Sequence, residues 1–180
     1  MEALEQLGYF KILCALNKGK FGVEKINEAA EYFLVKAGLI KASEEWYRGR
    51  PVMILKNDYK LGLFNGDIGI IWPLKELNDK KPFAFFKTSE NEIRHFPPHR
   101  LPEHETVYAM TVHKSQGSEF EHVVLVLPEN DAQVLTRELL YTGITRAKKS
   151  ITIHGCEEIF KIALSRRIER HSGLKDRLWG

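Results

Sequence analysis

The spacing of apolar residues changes twice along this chain, and the changes divide it into three parts. Residues 10–16, FKILCAL, form a short apolar run of the kind that fills a buried strand. After a basic, glycine-punctuated turn at residues 17–22, apolar side chains recur every three or four positions from Val23 to Leu34, which predicts an amphipathic helix. The first part, residues 1–47, therefore predicts a strand, a turn and a helix, the opening unit of a parallel α/β layer.

The second part, residues 48–105, has the turn chemistry of an all-β unit. Its β-like runs follow one another with no helical segment between them: PVMILKN, DIGIIWP, KPFAFFKT and EIRHFPP. Asparagine, aspartate, glycine and proline residues separate the runs, as in Asn65-Gly66-Asp67 and Asn78-Asp79. This part predicts a small antiparallel barrel of SH3 type, inserted between the two halves of the α/β layer.

The third part, residues 106–180, resumes the α/β pattern. The predicted elements are, in order, a strand at 107–112, a polar loop at 113–121, a strand at 122–127, a helix ending at 145–149, a strand at 151–154 and a helix from about 157 to 171. The chain as a whole is therefore predicted to have an α/β fold with a parallel sheet, interrupted by the β insert.

Composition and charge are those of a globular chain. With 180 residues, 43% of them hydrophobic, the chain can bury a sizeable core. A net charge of +3 does not imply a nucleic-acid footprint over the whole surface, although a local basic stripe is allowed. Basic residues do gather near the end: Lys161, Arg166, Arg167, Arg170, Lys175 and Arg177. They fit contacts with DNA phosphates, a solvated helix face or a surface against a partner subunit.

Several site chemistries are missing from the sequence. No GxxxxGK[ST] motif is present, since Gly19-Lys20 is followed by Phe21, so the chain lacks the loop and the hydroxyl that hold phosphates and Mg²⁺ in many ATP-hydrolysing enzymes. The histidines and the two cysteines, Cys14 and Cys156, show no metal-type spacing, and no metal site is predicted. Two cysteines without a membrane span or a leader indicate reduced thiols of a cytoplasmic protein that does not enter a membrane.

Two stretches carry candidate chemistry. The hydroxyls, amide, lysine and small Gly117 of TVHKSQGSEF, residues 111–120, suit close approach to a phosphate-bearing ligand. The second stretch, LLYTGITRAKK, places Arg146 near a predicted helix end. On chemistry alone Arg146 has two explanations: a helix-terminal arginine that interacts with the helix dipole, or an arginine that one domain supplies to phosphoryl transfer in a neighbouring domain.

These two stretches resemble motifs V and VI of superfamily 1 helicases, and TVHKSQGSEF is similar to the wording of the RecD branch. Other segments resemble the same branch: CALNKGKFGVEKIN, GRPVMILKNDYKLGLFNGDIGI and RRIERHSGL. Essentially the whole chain is similar to the C-terminal part of exodeoxyribonuclease V alpha subunits. The early turn departs from the pattern, because relatives often carry an arginine where this chain has Lys18 and Lys20.

The resemblance implies a fold and roles for individual residues. The fold would be a RecA-like motor domain, 2A, with an SH3-like insert, 2B, at residues 48–105. Arg146 matches an arginine finger that reaches across an interdomain cleft to the γ-phosphate of ATP. Gln116 and Gly117 match family positions beside the phosphates of ATP, and Glu119 matches a position that faces the ribose. Positions that face single-stranded DNA match Thr111, His113 and Ser115, although His113 has an equal alternative as a polar residue that orients its neighbours.

The implied function is that of a C-terminal motor-domain fragment of an ATP-dependent 5′→3′ DNA helicase subunit. Such a subunit acts on DNA ends in double-strand-break repair, together with the beta and gamma subunits of a helicase–nuclease complex. ATP and Mg²⁺ would bind between this domain and an N-terminal motor domain that holds the metal ligands, so the fragment alone would be inactive. The alternatives are a non-catalytic DNA- or partner-binding module, and the C-terminal part of a stand-alone RecD-like helicase or conjugative relaxase.

Overall fold

Two sheets organise the chain, for which the computed structural model describes residues 2–41, 43–74, 81–88 and 92–168. The helices are α1 (Glu2–Gln6), α2 (Val23–Lys36), α3 (Arg137–Ile144) and α4 (Glu157–Ser165). The strands are β1 (Phe10–Cys14), β2 (Pro51–Ile54), β3 (Ile68–Pro73), β4 (Pro82–Lys87), β5 (Ile93–Phe96), β6 (His104–Thr106), β7 (Ala109–Thr111), β8 (Phe120–Val126) and β9 (Ala147–His154). One sheet has the order β7-β1-β8-β9 and the other the order β5-β4-β3-β2-β6.

The four-stranded sheet is parallel in every pairing, which confirms the predicted α/β fold. Successive side chains of β1 point to opposite faces, so Leu13 joins the core under α3 and α4 while Cys14 joins the core under α2. Asn27 fixes α2 to β7, because its side-chain amide donates to the carbonyl of Ala109 and accepts from the amide of Ala109, at 3.2 and 2.8 Å. Phe33, in the apolar stripe of α2, is 63% exposed, so the far end of that stripe faces solvent.

The predicted end of α3 is wrong. The helix stops at Ile144, and the residues from Ala147 onwards belong to β9. The amide of Phe120 donates to the carbonyl of Arg146 at 2.8 Å, and β9 then pairs with β8. This pairing partner lies far away in the sequence, so local spacing could not indicate that the chain leaves the helix here. Arg146 therefore lies at a helix-to-strand junction.

The last helix is shorter than predicted, since α4 ends at Ser165. Residues 169–180, which include Arg170, Lys175 and Arg177 of the basic cluster, lie outside the described residues. The predicted turn at Asn78-Asp79 lies outside them as well. The expected contact of this basic end with DNA or with a partner subunit stays a prediction.

The five-stranded sheet is antiparallel in every pairing. Strands β2 to β5 coincide with the four β-like runs of the sequence, and their inner side chains form a separate core around Val52, Ile71 and Phe86. Within the described parts of the chain, the edge strands β5 and β6 do not pair with each other. Closure into an SH3-like barrel therefore stays a prediction, as do the domain boundaries near residues 48 and 105.

Hydrogen bonds hold the base of this insert against α2. Tyr47, shortly before β2, donates to Oε1 of Glu31 at 2.7 Å, and its hydroxyl lies 3.0 Å from the hydroxyl of Tyr108, shortly after β6. An ionised carboxylate can only accept, so Tyr47 donates to Glu31 and Tyr108 donates to Tyr47. Burial, and then these hydrogen bonds, raise the pKa of the Tyr47 phenol above its usual value. Both connections to the insert are therefore tied to one helix.

β9 forms an edge of the parallel sheet, and most of its side chains are exposed, including Lys148 and Lys149. The two cysteines are free thiols, Cys14 buried and Cys156 exposed. Among the residues that the structure describes, no helix has both the length and the apolar character that crossing a membrane requires.

Lys11 carries a buried ammonium group in the parallel sheet. The residue is only 3% exposed, its Nζ donates to the carbonyl of Val107 at 3.0 Å, and Nζ lies 5.6 Å from the centroid of the Phe120 ring. These two contacts do not replace the water that surrounds an exposed ammonium group, and a charge in such a place is disfavoured. Burial accordingly lowers the pKa of this amine to about 8.

We expect the chain to become more stable as the pH rises from about 7 to about 9. The pKa of Lys11 is about 8 in the folded chain and 10.5 in an unfolded one, so between these values the unfolded chain binds more protons and each step upward in pH favours folding. The free energy of unfolding, measured by urea titration at each pH, should increase by about 1 kcal/mol. Lys11→Met should lose this increase, and the same increase in the variant would show that Lys11 is not its source.

Candidate functional site

The loop between β7 and β8, residues 112–119, runs from the carboxyl ends of the parallel strands to their amino ends, and we call it the polar loop. These two ends of the sheet are called its carboxyl edge and its amino edge. Thr111 and Val126 both lie level with Cys14, so β7 and β8 end at the same carboxyl edge. β8 begins at Phe120, which at roughly 3.3 Å per residue is about 20 Å away at the amino edge. The polar loop therefore presents its first residues at the carboxyl edge and its last residues at the amino edge.

Consecutive turns give the polar loop its shape. The amide of Ser115 donates to the carbonyl of Thr111, that of Gln116 to His113, and that of Ser118 to Ser115, at 3.1, 3.2 and 3.0 Å. Gly117 has a φ of +86°, in the left-handed region that glycine adopts without strain. Apart from its two chain neighbours, no described residue has an atom within 4 Å of the place that a Cβ of Gly117 would take, so the backbone there is open to a ligand.

Two of the predicted DNA-facing side chains brace the loop from within. Ser115 is fully buried, and its hydroxyl donates to the carbonyl of Val112 at 2.7 Å. Thr111 is 7% exposed, and its Oγ1 accepts from the amide of Lys114 at 3.1 Å. Ser115 therefore has no surface to offer to DNA in this structure, because its side chain serves the loop interior. His113 is exposed and remains the candidate contact at the carboxyl edge.

Arg146 rests on neutral oxygen atoms at the amino edge. Its Nε donates to the carbonyl of Thr142 at 3.2 Å, its Nη1 to the carbonyl of Ser118 at 3.0 Å, and its Nη2 to Oγ1 of Thr145 at 3.2 Å. The side chain is part-buried and has no carboxylate partner within the described ranges. The guanidinium therefore lies against the last turn of the polar loop with its positive charge unpaired.

The other residues that were predicted to contact the nucleotide lie at two places along the polar loop. Gly117 and Glu119 flank Ser118, so they lie at the amino edge beside Arg146. The carboxylate of Glu119 is exposed and lies 3.4 Å from Nζ of Lys148, a surface ion pair that contributes little to stability. Gln116 is exposed and lies further along the polar loop, closer to His113.

A cavity of about 280 Å³ separates the polar loop from α3 and the segment before it. His113 and Gln116 line one side, whereas the other side is lined by Thr142 of the candidate stretch LLYTGITRAKK and by three residues that the sequence analysis missed: Gln133, Thr136 and Glu138. Thr136 caps α3, since its Oγ1 accepts from the amide of Leu139 at 3.2 Å. A threonine just before Arg137-Glu138 is a helix-start signal, so the beginning of α3 was recognisable in the sequence.

The early basic turn lies at the edge opposite Arg146. Lys18 and Lys20 follow β1, so they lie beyond the carboxyl edge of the sheet. Nζ of Lys20 forms an ion pair with Glu129 in the loop after β8. The structure thus separates these lysines from the amino-edge group of Gly117, Glu119 and Arg146.

Comparison with known proteins assigns residues 106–153 to the family of UvrD-like helicase C-terminal domains. Over 176 residues, 96% of the chain, the sequence is 40% identical to the RecBCD enzyme subunit RecD of Haemophilus influenzae, of which the match covers 26%. It is 30% identical over 174 residues to the ATP-dependent RecD2 DNA helicase of Deinococcus radiodurans, covering 95% of this chain and 24% of the relative. The fold matches Pif1 helicase from Bacteroides, crystallised with ADP-AlF3 and single-stranded DNA, with a TM-score of 0.51 and 18% identity over 81% of this chain and 40% of that one.

Residues 106–153, which include the polar loop and Arg146, therefore place the chain among the superfamily 1 helicases. Within this class the chain belongs to the RecD family, and the predicted resemblance to the C-terminal part of exodeoxyribonuclease V alpha subunits is confirmed. The chain spans about a quarter of the length of the relatives that it matches.

Proposed function

We propose that this chain acts as the second motor domain of an ATP-dependent DNA helicase, in which Arg146 completes a nucleotide site whose phosphate-binding loop lies on another segment. The observation that carries this proposal is the resting place of Arg146, on three neutral oxygens beside the polar loop. A guanidinium that no carboxylate neutralises keeps its charge for an incoming anion, and its planar fork suits phosphate oxygens.

The amino edge would form the nucleotide end of the site. ATP, when bound, would supply the phosphoanhydride bond that is broken. Arg146 would turn from the carbonyl of Ser118 towards the charge that develops in the transition state, a contribution of roughly 10³ to 10⁵ in rate. The open backbone at Gly117 leaves room for phosphate oxygens, and Glu119 would accept from ribose hydroxyls. The Mg²⁺ ligands are assigned to the other segment, because the sequence of this chain lacks the GxxxxGK[ST] motif whose hydroxyl holds the metal.

The carboxyl edge would form the DNA end of the site. The exposed imidazole of His113 would donate to DNA phosphates, with Thr111 beside it and Ser115 holding the loop in shape. Consecutive turns join His113 to Ser118, on which Arg146 rests. A movement of Arg146 would therefore be passed along the polar loop to a DNA contact about 20 Å away.

The relatives extend the proposal to the whole motor. We infer 5′→3′ movement along DNA and work in a RecBCD-type complex with beta and gamma subunits, in double-strand-break repair in the cytoplasm. The match to the ATP-dependent RecD2 DNA helicase, whose name mentions no complex, favours a second candidate, a stand-alone RecD-like helicase. Unwinding that requires the beta and gamma subunits supports the first, and unwinding without them supports the second.

The test is to combine this chain with the separately produced segment that carries the phosphate-binding loop of the same helicase. The chain alone should show no ATP turnover stimulated by single-stranded DNA, and the mixture should restore it. Robust turnover by the chain alone would contradict the proposal of a half-site. A mixture that binds but does not turn over ATP would favour a non-catalytic binding module.

A further inference from the structure

Arg166, the first residue after α4, holds the segment that leads into α3. Its Nη1 and Nη2 donate to Oδ1 and Oδ2 of Asp131 at 2.9 and 2.6 Å, a two-point contact with one carboxylate. Its Nη1 also donates to the carbonyls of Ala132 and Leu135, at 2.7 and 3.2 Å. One side chain thereby fixes the segment between β8 and α3 at three points.

Two further hydrogen bonds join the start of α3 to residues 166–168. The amide of Arg137 donates to the carbonyl of Arg166 at 2.9 Å, and the amide of Ile168 donates to Oε2 of Glu138 at 3.2 Å. Ile168 also lines the cavity between α3 and the polar loop. Residues 166–168 thus contact the first two residues of the helix and one wall of the candidate site.

The contacts of Arg166 at the start of α3 affect the other end of the helix, which leads to Arg146. The helix Arg137–Ile144 is about 12 Å long at 1.5 Å per residue, and Arg146 is the second residue after its end. In the structure the hydrogen bond from Arg146 to Ser118 connects this far end to the polar loop. When Arg146 leaves Ser118 to meet an anion, that side-chain connection is lost, while the backbone bond from Phe120 to Arg146 stays. The direction of α3 then depends on this bond, on its core packing and on the contacts at its start.

We propose that Arg166 is a positioning residue that keeps α3 in place while Arg146 moves, an inference that rests on the proposed role of Arg146. The planar fork of Arg166 serves a carboxylate and two carbonyls at once, which the single ammonium group of lysine cannot reproduce. The side chains of Arg166 and Asp131 are 32% and 44% exposed, so their ion pair adds little to overall stability. Its effect is on the geometry of the segment that carries Arg146.

Amide hydrogen exchange on this chain tests the anchorage directly. Arg166→Ala should speed the exchange of amides in residues 135–140 by about 10-fold, because local opening needs fewer contacts to break. Arg166→Lys should give a smaller increase. The matched control is Arg167→Ala, since Arg167 is exposed and makes no hydrogen bond or ion pair to any other described residue. Exchange in Arg166→Ala that equals the control would overturn the inference.

ATP turnover of the assembled motor tests the consequence. Arg166→Ala should lower kcat with single-stranded DNA by roughly 10- to 100-fold, the effect of misplacing a catalytic group, and leave KM for ATP unchanged. Arg137→Ala, which removes an exposed arginine side chain from the first turn of α3, should match the wild-type chain. If the wild-type chain restores no turnover, the proposed function fails, and hydrogen exchange alone then decides the role of Arg166. If the wild-type chain restores turnover and Arg166→Ala matches Arg137→Ala, the inference fails and the proposed function stands.

Discussion

Arg146→Ala should lower the ATP turnover of the assembled motor by roughly 10³-fold or more, while the chain stays folded. The guanidinium makes its three hydrogen bonds at a part-buried edge, to oxygens of Thr142, Ser118 and Thr145, and none of these is a charged partner left behind in the core. Removing the side chain therefore disturbs the fold little. Its proposed task is to meet charge that develops in the transition state, whereas the neighbouring Lys148 and Lys149 are paired with Glu119 and Glu121.

The control for this prediction lies on the same helix. Arg137 is exposed in the first turn of α3, so Arg137→Ala removes an arginine side chain without touching the amino edge. Arg146→Lys, which keeps the charge but loses the fork, should fall between alanine and the wild-type chain. The measurement is steady-state ATP hydrolysis with saturating single-stranded DNA. Turnover of Arg146→Ala within threefold of the control would mean that Arg146 is not the arginine finger.

Leu125→Ala should lower the free energy of unfolding by about 2 to 5 kcal/mol. Leu125 is fully buried near the carboxyl end of β8, in the core that α3 and α4 cover. Its methyl groups lie 3.2 and 3.3 Å from the place that a Cβ of Gly143 would take, so α3 packs directly on this side chain. Truncation leaves a cavity below the helix that leads to Arg146, and both stability and the position of α3 should suffer.

Urea unfolding at fixed pH measures this loss, with Leu164→Ala as the matched control. Leu164 is on α4 and 43% exposed, so its truncation removes little buried surface. The denaturation midpoint of Leu125→Ala should fall clearly while the slope stays constant. A loss no larger than that of the control would show that the core below α3 does not depend on Leu125.

The elements that the sequence predicted well are those with a strong local period. The apolar run at β1, the three- and four-residue spacing of α2 and the four runs of the β insert each indicate their own structure, and the structure contains all of them. The polar loop and Arg146 were recognisable by the sequence motifs that contain them, and the match to RecD confirms the resemblance to this family. Their individual roles remain proposals.

Other features depend on contacts between distant parts of the chain. The end of α3 was misplaced because β9 pairs with β8, and no local pattern at residues 145–149 shows that pairing. The burial of Ser115 follows from the turns of the polar loop, which a list of hydroxyl positions does not contain. Arg166 was seen only as one member of a basic cluster, because its three acceptors lie some thirty positions earlier.

The edge strand β9 has a consequence for handling this protein in solution. Every second residue of β9 points its backbone donor and acceptor away from β8, and these outward groups have no strand partner within the described ranges. Such an edge is a template on which a second molecule can add a strand, and protruding lysines oppose that addition by charge and hydration. Lys148 and Lys149 of β9, whose side chains are 51% and 65% exposed, oppose strand addition in this way. High ionic strength screens them, so self-association of this chain should grow with added salt.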